Sequence, residues 1–273
     1  MADPAPLSTP APWNSVADGY SETTMRLFSS YIDRALDLLD VRAEEHVADI
    51  ACGPGTLALA AAARGATVAA LDFAPGMIRV LNATLAEQGL TGVTATEGDG
   101  QNLPYAAAGF DAAFSMFGLM FFPDRARGHA ELFRILKPGG RVCVASWAPV
   151  DQSSLMTALF AGLKAMKPDL PAPDPDMASL ENPDVLRAEL QGAGFADVTV
   201  HRISDTATLA SAEALWSDME KGAVPVRMMR EALGEATWTA RRPQALAALD
   251  RTAGPFPASL SMTAWIGTGR KPG

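Results

Sequence analysis

The chain has 273 residues, 48% of them hydrophobic, and its 31 acidic against 22 basic residues leave a formal net charge of −9. That length supports one sizeable α/β core with a small subdomain. The acidic balance, without any Lys/Arg block, argues against a nucleic-acid partner, and no apolar run is long enough for a membrane span.

The opening "MADPAPLSTPAPW" lacks the basic and apolar regions of a secretion signal, so a cytoplasmic protein is expected, with residues 1–12 a disordered tail. From Trp13 to Leu39 the apolar residues Phe28, Tyr31, Ile32, Ala35, Leu36 and Leu39 recur near a helical period, giving a helical cap over 13–45. Strands and helices then alternate. "HVADIA" (46–51) reads as a strand, "GTLALAAAAR" (55–64) as a helix stopped by Gly65, and "TVAALD" (67–72) as a strand. A helix over 75–88 ends at Gly89, and strands follow at 93–98 and 110–118. A helix over about 124–136 reaches "KPGG", which turns into the strand "RVCVASW" (141–147). Such alternation predicts a parallel sheet with helices on both faces. Beyond Trp147 come a helix over about 153–166, a Pro/Asp-rich loop, and a helix opened by Asn182-Pro183 as cap and first residue. A strand over 196–203, two or three helices over 211–253 and a final strand over 259–269 complete the chain. Cys52 and Cys143 sit in apolar runs without metal-ligand spacing and read as reduced thiols.

Ligands of such sheets bind beyond the carboxyl ends of the strands. Ala51–Gly55, Asp72, Asp99 and Ser115 all fall at such ends. Gly53-Pro54-Gly55-Thr56-Leu57-Ala58 fits the dinucleotide fingerprint G-x-G-x-x-A, and Asp72 stands where its ribose-binding acid would be. A nicotinamide-dependent oxidoreductase is therefore one candidate. Pro54, however, offers no N–H to a pyrophosphate, and Asp49 would repel one. Both suit a phosphate-free ligand that carries positive charge.

S-adenosylmethionine (SAM) is such a ligand, and here the chain resembles the class I SAM-dependent methyltransferases, in particular the ubiquinone/menaquinone C-methyltransferases and their small-molecule relatives. "VADIACGPGT" (47–56) resembles their first motif, with Ala51 in place of its usual first glycine. "ALDFAPGMI" (70–78), "EGDGQNLPY" (97–105), "FDAAFSMFGLMFFPD" (110–124) and "ELFRILKPGGRV" (131–142) resemble the segments that follow, in order and spacing. The resemblance spans about residues 13–147 and implies a Rossmann-like, mostly parallel seven-stranded sheet with its last strand antiparallel, plus a small helical lid. Residues 46–147 would be the SAM-binding core. Residues 148–273 would complete the sheet and carry lid insertions over about 153–191 and 211–253.

The resemblance also implies roles. Gly53 and Gly55 would let the main chain, with Ala51, approach the methionyl part and ribose. Asp49 would hold the ammonium, directly or through water, and Asp72 the ribose hydroxyls. Asp72 also suits a cap before Pro75. Phe73 and Met77 would pack on adenine, and Asp99, Gly100 and Gln101 would meet its edge. Ser115 and Met116 would floor the site near the sulfonium, with Phe117 there or in the core. Tyr20 would close over the cofactor, and is a weak candidate for a catalytic role. The implied activity is methyl transfer to a small-molecule acceptor (aromatic, quinone-like or polyketide-type) on carbon, oxygen or nitrogen. A SAM-binding protein without catalysis is a further alternative. A homodimer is left open.

No general base stands out. His46 precedes the first strand, His129 reads as an exposed or helix-face residue, and His201 as structural. No nucleophile elbow or metal site is apparent. Trp147, Met156, Phe160, Trp216, Met219, Met228, Met229 and Trp238 either roof an apolar acceptor pocket or form a helical core. Arg227, Arg230, Arg241 and Arg242 read as exposed charge, with an anionic acceptor as the alternative.

Overall fold

The computed structural model describes residues 5–170 and 179–273. Its seven strands are β1 (His46–Ile50), β2 (Thr67–Asp72), β3 (Val93–Glu97), β4 (Phe110–Met116), β5 (Leu136–Trp147), β6 (Ala196–Leu209) and β7 (Ala258–Arg270). They form one sheet in the order β3-β2-β1-β4-β5-β7-β6. The first five strands run parallel, and β7 lies antiparallel between β5 and β6. This is the expected Rossmann-like sheet. Val47, Ala48, Asp49 and Ile50 are all buried because helices cover both faces of the parallel half. The strand order reverses between β1 and β4, where such sheets open a crevice at their carboxyl edge.

The local signals act where the residues dictate. Helix Pro75–Gln88 starts on Pro75 and stops at Gly89, whose φ of 65° suits glycine. The Asn182 side chain accepts from the Asp184 N–H at 2.9 Å and caps helix Pro183–Gly192.

Several expectations need correction. Residues 5–12 are ordered rather than a loose tail: a 3-10 turn (Pro6–Ser8) runs into helix Pro10–Asn14. Ser8 Oγ donates to the Phe121 carbonyl at 2.7 Å, and the Trp13 indole to the Leu7 carbonyl at 2.9 Å. The first of these bonds spans 113 residues and has no local signature. Residues 1–4 and 171–178, the latter within the Pro/Asp-rich loop, lie outside the described residues. The helical cap is built of short pieces: Pro10–Asn14, Ala17–Glu22, a 3-10 turn and Ser29–Leu38. "KPGG" is an irregular part of β5: Gly139 and Gly140 bond with Lys271 while the register to β4 slips. β6 continues to Leu209 because β7 pairs with it throughout. Helix Pro183–Gly192 is no lid: Leu186 and Leu190 lie against Gly267 of β7, so it covers a face of the sheet.

The other late helices pack on one another in a layer called the roof. Ser154–Met166 packs along Glu235–Ala253, and Trp216 stacks on Trp238 at 5.9 Å in a helical core that also buries Met229. Ala212–Gly222 meets the N-terminal helix Ala17–Glu22 at Gly19 and Gly222. A Cβ at Gly19 would lie 2.2 Å from the Lys221 carbonyl oxygen, so the roof and the cap touch backbone to backbone.

Candidate functional site

The carboxyl ends of β1, β2 and β4 open into a cleft of about 710 Å³. Among the expected residues, Tyr20, Ala51, Gly53, Asp72, Phe73, Met77, Asp99, Gly100, Gln101 and Met116 line it. All but Tyr20, which comes from the N-terminal helix Ala17–Glu22, come from four chain segments that the parallel topology brings to one edge.

Backbone strain collects at this edge. Ala51 has φ 58° and Phe117 φ 60°, both in the left-handed region that non-glycine residues seldom adopt. The usual glycine at position 51 is thus explained by conformation. Gly118 makes room for the alanine: a Cβ there would sit 2.4 Å from the Ala51 methyl. Gly53, at φ 55°, has open space where a Cβ would project, so its bare backbone faces the cleft.

Asp72 is 5% exposed and ties the crevice together: one oxygen accepts from the Gly53 N–H at 2.8 Å, the other from the Ala74 N–H at 2.9 Å. The helix cap proper is Ala74, so Asp72 braces the loop rather than capping it. Burial pushes its carboxyl up to about 6, against the N–H groups of Ala74, Gly53 and Phe73. Asp99 accepts from the backbone and side-chain amides of Gln101 at 2.8 and 3.0 Å, which shapes the turn on the opposite wall.

Three expected residues lie behind the wall. Asp49 is buried and accepts from the Ala58 N–H at 3.1 Å, in the first turns of helix Thr56–Ala63. It faces the helix N-terminus and does not line the cleft. Burial, then the nearby Asp72 charge, pushes its carboxyl up to about 7, while the Ala58 N–H opposes the shift. Gly55 serves packing: a Cβ there would lie 2.4 Å from Leu81 Cδ1. Ser115 is fully buried, its hydroxyl without a partner. It misses the cleft because side chains alternate along β4, which turns Met116 to the wall. Neither Asp49 nor Asp72 pairs with a cation among the described residues.

The cleft also takes Ser8, Trp13, Leu71, Phe117, Gly118, Phe121, Phe122 and Pro123. Ser8 and Trp13 from the N-terminal segment, and Phe121, Phe122 and Pro123 in and just after the 3-10 turn Leu119–Phe121, had not been expected there. The aromatic run in "FGLMFFPD" was the available signal. Trp13 packs edge-on against Tyr20 at 6.3 Å and Phe121 at 5.0 Å. Burial, then the Asp72 charge, pushes the Tyr20 phenol well above its usual range, so it stays protonated at neutral pH.

A second cavity of about 1210 Å³ adjoins the first and shares Trp13, Tyr20, Phe117 and Phe121 with it. Its walls include Phe28, Trp147, Leu155, Met156, Leu159, Phe160, Met219 and Met262. Phe117 stacks on Trp147 at 4.0 Å. Of the aromatic and Met residues expected in a roof or a core, Trp147, Met156, Phe160 and Met219 line this cavity. Trp216, Met229 and Trp238 are core, and Met228 packs beside Val16 and Val224. Glu181 lines the cavity too, its backbone carbonyl accepting from the Trp265 indole at 2.7 Å. Burial, then Asp151, raises its carboxyl above the usual range.

His129 is buried, not exposed: Nε2 meets Glu189 at 3.2 Å, and Glu189 also holds Arg125. This cluster joins helix Arg125–Ile135 to helix Pro183–Gly192. Arg227, Arg230 and Arg242 pair with Glu231, Glu235 and Glu213/Glu220, and Arg241 donates to the Met166 carbonyl. Both cysteines are buried and unpaired. Among the described residues, no group of three or more His, Cys, Asp or Glu could hold a metal, and no helix is long and apolar enough to cross a membrane.

Residues 47–140 match a family model described as a methyltransferase domain. An uncharacterised protein of Mycobacterium tuberculosis is 42% identical over 101 residues, 37% of this chain, and the match spans only 36% of that relative. Nocamycin O-methyltransferase of Saccharothrix syringae is 30% identical over 226 residues, covering 76% of this chain and 80% of the relative. Demethylmenaquinone methyltransferase of Thermobifida fusca is 34% identical over 167 residues, 59% of this chain and 70% of that one. In fold, a crystal structure described as a putative methyltransferase of Bacillus halodurans superposes with a TM-score of 0.60 at 18% identity, over 89% of this chain and 100% of that one.

Proposed function

The chain belongs to the SAM-dependent methyltransferase family, and from that premise we propose that it transfers the methyl group of SAM to a small apolar acceptor held in the second cavity. One observation carries the assignment of the first cleft to SAM. Two buried carboxylates, Asp49 and Asp72, stand at one sheet edge without a cation among the described residues, and burial raises both. A phosphate-free ligand with an ammonium and a sulfonium offsets that cost, whereas a phosphate adds to it. The residues fit: Gly53 offers bare backbone to the cleft, and Asp72 lies beside it.

In this reading Asp72 accepts from the ribose hydroxyls, and Asp99, Gly100 and Gln101 meet the adenine edge. Phe73 and Met77 pack on its faces, and Ala51, Gly53 and Met116 border the methionyl end. Asp49 acts at one remove, as a charge behind the first turns of helix Thr56–Ala63. Bound SAM supplies a methyl group already activated for in-line displacement. The protein's part is approach geometry and exclusion of water. Tyr20, Phe117 and Trp13 stand where the two cavities meet, and Phe28 and Trp147 extend that aromatic wall into the second. Tyr20, with its phenol protonated, is a hydrogen-bond donor at that junction. The relative from Saccharothrix favours oxygen as the atom methylated; carbon, as in a menaquinone-type acceptor, is the second reading.

Calorimetric titration with S-adenosylhomocysteine (SAH) and with NAD(H) tests the assignment: SAH binds and the dinucleotide does not. Binding of NAD(H) alone overturns it. Release of SAH during an acceptor screen then identifies the substrate.

A further inference from the structure

The second cavity has a definite electrostatic character. Among the described residues on its wall, none is Lys, Arg or His, and Glu181 is the one carboxylate. The Glu181 carboxylate has no ion-pair or hydrogen-bond partner among the described residues. In the roof, Arg227, Arg230 and Arg242 are paired with Glu231, Glu235 and Glu213/Glu220, Arg241 donates to a main-chain carbonyl, and none of these lines the cavity. The rest of the wall is aromatic, Met or aliphatic, apart from Tyr20 and Thr24. An anion entering such a space loses its water and finds no compensating charge, which is expensive. A cation, or a neutral group that donates a hydrogen bond, finds Glu181.

We propose that the acceptor is a flat apolar molecule that carries an amine or hydroxyl and no negative charge, and that Glu181 is the residue that selects it. Resting on the reading of the adjoining cleft as the SAM site, this deepens that reading. Glu181 is suited to selection by position as well as charge. The Trp265 indole pins its backbone, and it stands where the cavity meets an open groove lined by Pro149, Gln152 and Asn182. A cationic or hydroxylated molecule entering from that side passes the carboxylate, while an anion is repelled at the entrance. Selectivity here comes as much from refusing the wrong charge as from holding the right one.

Three probes on one ring frame test it: 9-aminoacridine (a cation), 9-(hydroxymethyl)anthracene (neutral) and anthracene-9-carboxylate (an anion). Each is titrated by fluorescence against the full chain in saturating SAH. The cation and the neutral probe are expected to bind, with the carboxylate roughly tenfold weaker or more. In Glu181→Gln the cation is expected to lose roughly fivefold or more, while the neutral probe changes less than about twofold. Met156→Trp, which fills the cavity, should abolish all three. The proposal is overturned if the carboxylate binds as well as the others, if Glu181→Gln leaves the order unchanged in a protein of normal melting temperature, if Met156→Trp spares binding, or if no probe binds while SAH does. Absence of SAH binding would instead sink the cofactor reading, and the order of the probes, titrated without SAH, would still decide the charge preference.

Discussion

The cleft at the sheet edge and the cavity beside it share four aromatic residues, yet they are built by opposite means. The cleft is made largely of backbone and carboxylates at strand ends. Gly53, Ala51 and the loop braced by Asp72 hold its shape, and strained φ angles at Ala51 and Phe117 mark it. The cavity is made of side chains from helices far apart in the chain, with Met156, Phe160, Met219 and Met262 among them. Main chain at the end of a sheet is rigid and presents fixed donors, which suits a ligand that is always the same. Met and aromatic side chains adapt and are easily exchanged, which suits an acceptor that differs between relatives.

The largest expected effect separates the two regions. Trp216→Ala removes a fully buried ring that stacks on Trp238 and packs against Gly162, so unfolding in urea should show a loss of about 3–5 kcal/mol. At a temperature where the variant is folded, SAH affinity should stay within about twofold. A parallel collapse of SAH binding would break the comparison.

A pair of glycines sharpens it. Gly55→Ala drives a methyl group into Leu81, which is fully buried, and should cost about 1–3 kcal/mol in stability. Gly53→Ala meets no atom within 4 Å and should cost about 1 kcal/mol for its left-handed φ, yet weaken SAH more than Gly55→Ala does. Thermal melts and calorimetry of the two variants check this; the reverse order would put Gly55 on the cleft wall.

Asp72→Ala should weaken SAH by at least about tenfold, near 1.4 kcal/mol, since the braces to Gly53 and Ala74 go with the ribose contact. Unchanged affinity in a folded variant removes Asp72 from the site.

The smallest effect is in the pH dependence. The carboxyls of Asp49 and Asp72 are raised to about 7 and about 6. In the unfolded chain both lose their protons near about 4. Between those values the folded protein holds more protons than the unfolded one, so the free protein loses stability as pH rises from about 4 to 7. A cationic ligand reverses the preference. SAH, with its ammonium, should bind more tightly as pH rises from about 5.5 to 8 and should release protons. Calorimetry in two buffers of different ionisation enthalpy reads that release, and Asp49→Asn should flatten the trend. Uptake of protons on binding would contradict it.

Most of the parallel half of the fold was legible in the chain. Hydrophobic runs, glycine stops and proline starts are local codes, and helix Pro75–Gln88 appears with the very bounds its Pro75 and Gly89 signal. The site was legible in part for the same reason. Asp72, Gly53, Asp99 and Met116 sit at strand ends that a parallel sheet must bring together. Gly55 and Ser115 misled because spacing alone does not say whether a residue faces ligand or neighbour. At Gly55 the Leu81 side chain decides, and at Ser115 the alternation of the strand does.

What the sequence determined by itself is the order of strands and helices, the crevice at the sheet's carboxyl edge, and a charge pattern suited to a cation without phosphate. Each follows from periodicity or from residues a few positions apart. Only the tertiary structure decided that Ser8 and Trp13 fold back onto the site, that Gly19 and Gly222 bring cap and roof into contact, and that Glu181 is the one charged residue among the described residues on the wall of the second cavity. Those contacts join segments separated by a hundred residues or more, where no local spacing records which side chain will meet which.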